Sequence, residues 1–109
     1  MPHCIVEHSP NLDANILLDA VCQGAVDSAL FEITDIKTRA SAFEHFQTNA
    51  TQNEFVHVVV KILSGRSLDQ QAQLSQSVLS RLKALNLVAT SLTVEVVEMQ
   101  RDTYAKFTN

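Results

Sequence analysis

Pro2 offers a secondary amine if Met1 is removed, and the small residue that follows Met1 permits that removal. A chain-terminal amine ordinarily has a pKa of about 8, so it serves as a general base near neutrality only where cations or partial desolvation depress it. Lys37 and Arg39 stand two apart on an apparent strand, project to one face, and are spaced to hold two oxygens of an anion. Gly65-Arg66-Ser67 puts an arginine just before the N-cap of a helix, where free backbone N–H groups already favour an anion. Together these residues point to proton transfer on a small carboxylate. Singly, each has an ordinary explanation: proline is about 5% of residues in any case, cations often protect edge strands, and a loop arginine is usually solvated.

Other chemistries find less support. His3, His8, His45 and His57 lack metal-type spacing, and His57, inside an apolar strand, reads as a satisfied core histidine; no metal site is expected. No G-x-S-x-G, P-loop or G-x-G-x-x-G pattern occurs, which argues against hydrolase and nucleotide-binding readings. Glu7, Glu95 and Glu98 lie near strand ends and read as solvated or salt-bridged groups.

The elements that must position Pro2, Lys37, Arg39 and Arg66 follow from patterning. His3–Glu7 reads as a strand that begins as soon as the chain does and so fixes Pro2. Ser9-Pro10 reads as an N-cap with proline at the first helical position, opening a helix to about Leu30. Residues Ile36–Phe46 alternate as a strand with a charged rim, Gln47–Glu54 is a turn signal, and the β-branched run Phe55–Ile62 suits a central strand; the two strands are expected to pair as a hairpin. Ser67-Leu68-Asp69-Gln70 is a capping-box signature, followed by a stripe of Leu68, Ala72, Val78, Leu79, Leu82 and Leu85. Ser91–Glu98 alternates as a last strand before a polar tail. The order is β-α-β-β-α-β, an α+β class. Right-handed crossovers place both helices on one face of a four-stranded sheet if the halves are equivalent. The other face keeps apolar groups such as Val59, and a partner subunit is the simplest cover; the alternative is that Phe31, Phe46, Phe107 and the tail fold back over it.

A chain of 109 residues that is 46% hydrophobic fits one domain, 1–109, with one modest core. Eight Lys and Arg against twelve Asp and Glu, with no basic cluster, argue against nucleic acid as a partner. Cys4 and Cys22 lack C-x-x-C spacing and read as buried free thiols. The first thirty residues contain no secretory pattern and no apolar run approaches a membrane span, so a soluble, cytoplasmic protein is expected.

Met1-Pro2-His3-Cys4-Ile5-Val6-Glu7, Ile36-Lys37-Thr38-Arg39 and Phe55-Val56-His57 through Lys61-Ile62 to Gly65-Arg66-Ser67-Leu68 resemble the 5-carboxymethyl-2-hydroxymuconate isomerase family, a branch of the tautomerase superfamily. The similarity spans nearly the whole chain. It implies a β-α-β repeat fold, a homotrimer with sheets around its interior, no cofactor, and an amino-terminal proline as acid–base. It assigns Pro2 to the catalytic proline and Arg66 to a substrate-binding arginine. In the family's I-R-x-R stretch, Arg39 matches the second arginine and Lys37 replaces the first, keeping charge without the planar fork. The implied reaction is enol–keto isomerisation of an unsaturated 2-hydroxy di- or tricarboxylate. The chain is also shortened between its first helix and second strand relative to that pattern, where pocket walls differ. A ferredoxin-like binding module has the same element order and needs no free proline; a tautomerase-like fold given to another reaction is a third possibility.

Overall fold

The computed structural model describes residues 1–109. Strand β1 (His3–His8), helix α1 (Ala14–Asp27), strands β2 (Lys37–Ala42) and β3 (Glu54–Leu63), helix α2 (Leu68–Lys83) and strand β4 (Thr90–Met99) follow the expected order. Single 3₁₀ turns lie at Ile33–Asp35 and Arg101–Thr103. The strands form one sheet in the order β2-β1-β3-β4. β1 runs parallel to β2 and β3 parallel to β4, and the two pairs meet along antiparallel β1 and β3. No helix is long and apolar enough to cross a membrane.

The expected hairpin of β2 with β3 does not form. Each parallel crossover pairs its own two strands, and the halves join through the most apolar strand of each, so polar β2 is left at an edge where Lys37 and Arg39 face water. Residues 43–53 therefore form a connection between strands separated by β1. The same adjacency argues against a ferredoxin-like split β-α-β, because nothing is inserted between β1 and β2 or between β3 and β4.

Both helices cover one face. Cys4, Val6, Val56, Val58, Val60 and Ile62 from the sheet meet Leu17, Val21 and Ala25 from α1 and Leu74, Val78 and Leu82 from α2. The helices touch at Gly24, where a Cβ would stand 2.6 Å from Val78 Cα. Leu74, Val78 and Leu82 make an i, i+4, i+8 stripe, whereas Leu68 is 81% exposed. Leu68 precedes Leu74 by six residues, which at about 100° per residue carries it well round the helix. Burial pushes the Cys4 thiol up to about 12, so it is a protonated apolar group at neutral pH. Cys22 is also free but only half-buried, short of the burial expected for it.

Helix α1 begins later than Ser9-Pro10 predicts. Ser9 belongs to the sheet end: its N–H donates to the Phe55 carbonyl at 3.1 Å, and its hydroxyl accepts from Phe55 N–H at 3.2 Å and donates to the Glu54 carboxylate. Asp13 caps α1 instead, accepting from Asn15 N–H at 2.9 Å. The helix stops at Asp27, and Ala29 at φ 61° turns the chain away.

The opposite sheet face carries no helix. In register across it lie Lys37, His3, Lys61 and Val97, then Arg39, Ile5, Val59 and Glu95, then Ser41, Glu7, His57 and Thr93. Phe46 packs 5.2 Å from Phe55 at one end, and Phe107 is 88% exposed. Phe31 packs instead against the helix-side core.

Candidate active site

Because β1 and β3 are antiparallel, the beginnings of β1 and β2 and the ends of β3 and β4 share one end of the sheet. Met1-Pro2, Asp35 to Lys37, Gly65-Arg66 and Arg101 converge there. A cavity of about 350 Å³ is lined by Met1, Leu30, Phe31, Asp35, Arg66 and Arg101 among others. Pro2 is fully buried beside it, and its carbonyl accepts from Lys37 N–H at 3.1 Å. The strand thus fixes the proline as the sequence predicts, with its nitrogen joined in the peptide bond to Met1.

Arg66 is held by local structure. Gly65 at φ 124° makes a turn that side-chained residues rarely adopt. Ser67 Oγ accepts from Gln70 N–H at 3.1 Å while the Gln70 side chain accepts from Ser67 N–H at 2.9 Å, the reciprocal capping box. The Arg66 guanidinium donates to the Leu30 carbonyl at 2.9 Å and lies 5.8 Å from the Phe31 ring centroid. It makes no ion pair, so N–H groups remain for a ligand.

Lys37 and Arg39 project to the helix-free face and do not line the cavity. Arg39 Nη1–H donates to His3 Nδ1 at 3.2 Å. Since that nitrogen accepts, His3 carries its proton on Nε2 and donates it to Tyr104 Oη at 2.9 Å. Desolvation, then the charges of Arg39 and Lys37, hold the His3 pKa below its ordinary value, which favours this neutral form. Lys37 remains in electrostatic reach of the chain start. The Met1 amine has its pKa lowered by desolvation first; Asp35 opposes this, and Lys106, Lys37 and Arg66 reinforce it. These influences bias the Met1 amine toward its basic form.

His57 is not a core residue. It lies on the helix-free face, its Nδ1 2.7 Å from Thr93 Oγ1 and its Nε2 2.7 Å from Glu95 Oε2, so neighbouring β4 satisfies both nitrogens. An odd position in a strand whose even positions are buried explains the exposure. The buried histidine is His8, at 2% exposure. No three His, Cys, Asp or Glu side chains gather as a metal donor set.

Sequence reasoning missed Asp35, Arg101 and Lys106. Arg101 had no local signal: β3 and β4 are parallel with Leu63 opposite Met99, and the chain just beyond that pair brings the Arg101 side chain beside Gly65.

A model of the 5-carboxymethyl-2-hydroxymuconate isomerase family matches residues 2–109. The chain belongs to that family. This isomerase resembles a solved 5-carboxymethyl-2-hydroxymuconate delta-isomerase at 20% identity and TM-score 0.73, over 100% of this chain and 89% of that one. It resembles a 5-carboxymethyl-2-hydroxymuconate isomerase from Deinococcus radiodurans R1 at 20% identity and TM-score 0.74, over 99% and 90% of the two chains. A fused 4-OT described as a symmetric trimer aligns at 15% identity and TM-score 0.74, over 91% and 86%. No curated protein matches the chain. Family membership makes the chain an isomerase of the tautomerase type, and its β-α-β-β-α-β sheet is the tautomerase-like fold.

Proposed function

We propose that the protein, with Met1 removed, ketonises an unsaturated 2-hydroxy di- or tricarboxylate of the 5-carboxymethyl-2-hydroxymuconate kind, working as a cytoplasmic homotrimer without a cofactor. One observation carries this reading: Pro2, fixed by the start of β1, lies beside a cavity that holds the unpaired Arg66 guanidinium. In the proposed cycle the neutral Pro2 amine takes the enol hydroxyl proton. The electron pair released from the O–H bond forms the C=O bond, the double bonds shift along the chain, and a distant carbon takes the proton back from the prolinium. One O–H bond breaks and one C–H bond forms, and the amine is regenerated. Arg66 binds a carboxylate and stabilises the negative charge that develops as the proton leaves.

Lys37 and Arg39 enter this reading through the assembly. They lie on the helix-free face that the proposed assembly would cover, where they would serve a neighbouring copy's cavity, and Lys37 also lowers the pKa of the Met1 amine of its own chain. The trimer draws support from the uncovered sheet face and from the solved 4-OT trimer of the same fold.

The test is a ketonisation assay on 2-hydroxymuconate-type substrates with wild type and Pro2→Ala side by side, after mass spectrometry of the native chain. The expected mass lacks Met1, and Pro2→Ala loses on the order of 10²-fold or more in kcat, the usual contribution of a positioned general base. Equal rates, or full activity with Met1 retained, would remove Pro2 from the mechanism.

A further inference from the structure

The segment after β4 packs back on this end of the sheet through three residues, Arg101 on the turn before α2 and Tyr104 and Lys106 on the start of the chain. Arg101 clasps the turn that carries Arg66: its backbone N–H donates to Ser64 Oγ at 3.2 Å and its Nε–H to the Ser64 carbonyl at 3.1 Å. Tyr104 Oη accepts from His3 Nε2–H at 2.9 Å, and Lys106 Nζ lies 3.5 Å from Met1 Sδ. Of what reads from sequence as a polar tail, Arg101 lines the cavity.

Arg101 and Arg66 share that cavity, and both are anchored in the same way. Each donates one guanidinium N–H to a backbone carbonyl, Arg101 to Ser64 and Arg66 to Leu30, which fixes the fork without neutralising it. Neither has a carboxylate oxygen within 4.0 Å, although Glu32 and Asp35 also line the space. Neither can relieve repulsion from the other by losing a proton, since a guanidinium stays charged at any ordinary pH. Two pinned, unpaired forks facing one cavity match a ligand with two separate carboxylates, each taking the paired N–H donors of one arginine.

We infer that Arg101 is a substrate-binding residue that takes a second carboxylate when the first is held at Arg66, making this chain selective for dicarboxylates over monocarboxylates. The inference rests on the isomerase reading above for the nature of the substrate. It does not depend on Pro2 being the base.

The experiment compares trans,trans-muconate with sorbate, unreactive six-carbon dienes that differ by one carboxylate. Both are titrated calorimetrically into the full chain and into Arg101→Gln, and the ketonisation assay is run on the same preparations. Arg101 is exposed, and a thermal melt verifies that the variant keeps the fold. Wild type is expected to prefer muconate by about tenfold or more, and Arg101→Gln to bring the ratio close to one by weakening muconate alone. Equal weakening of both ligands would make Arg101 only a clasp on the Ser64 turn. An unchanged ratio in the variant, or no preference in wild type, would likewise overturn the inference. If wild type shows the preference, and loses it in the variant, yet ketonises nothing, the isomerase reading falls while the dicarboxylate site stands. Ketonisation with an unchanged ratio gives the reverse.

Discussion

An amine that must titrate to work carries a record of its surroundings in its pH profile. Desolvation is the largest influence lowering the pKa at the chain start; Lys106, Lys37 and Arg66 act in the same direction and Asp35 against it. Removal of Met1 would move the amine onto the ring nitrogen of Pro2, at the same end of the sheet and near the same charged side chains. The base form grows as pH rises, so kcat/KM is expected to climb from acid and level off above an apparent pKa lower than that of an ordinary chain-terminal amine. The sign of each neighbour is testable. Lys106→Gln removes a charge that lowers the pKa and should move the rise to higher pH, while Asp35→Asn removes one that raises it and should move the rise to lower pH. Profiles of kcat/KM between about pH 5 and pH 9 check both; shifts of the same sign in the two variants would mean that the titrating group is not this amine.

At the scale of elements, the closest constraint is the meeting of α1 and α2 at Gly24. A Cβ there would stand 2.6 Å from Val78 Cα and 3.1 Å from the Ser77 carbonyl oxygen, both backbone atoms that no rotamer change can move. Alanine favours a helix over glycine by about 1 kcal/mol, but forcing the helices apart costs about 1–3 kcal/mol. Gly24→Ala is therefore expected to lower the urea midpoint with an unchanged slope, while leaving the Arg66 turn intact; a raised midpoint would show that the contact relaxes. The same distinction between local and long-range cause explains what the sequence discloses. The Ser67–Gln70 box was legible because its two end residues, three apart in sequence, satisfy one another. Ser9-Pro10 misled because Ser9 is engaged by Glu54 and Phe55, more than forty residues away. The hairpin misled for a related reason: alternation gives a strand its faces but not its neighbour. Pro2 and Arg66 were readable as a proline at the chain start and a glycine-arginine turn before a cap. Arg101 takes its position only from the parallel register of β3 with β4.

On the whole molecule, the two sheet faces pose different demands. One is sealed by its helices, whereas the other sets Ile5, Val59 and Val97 among Arg39, His57 and Glu95 with no helix over them. Phe46 reaches only the Phe55 end, and Tyr104 only the His3 end. On the proposed assembly, three copies bury this face against one another, so light scattering on native protein should return three times the 12.0 kDa chain mass. Val59 is the place to test the face itself, because it lies between Ile5 and Glu95 in register and its side chain points away from the helix-side core. Val59→Lys adds a charge that would have to be buried unpaired in the assembly, which is strongly unfavourable, yet it leaves the packing under α1 and α2 untouched. The variant is expected to keep its circular dichroism and run as a monomer at micromolar concentration. Ketonisation should fall with the trimer, since Lys37 and Arg39 would no longer meet a neighbour's cavity. A wild type that is monomeric at every concentration tested would sink the trimer, and a dissociated Val59→Lys with full activity would show that one chain completes its own site.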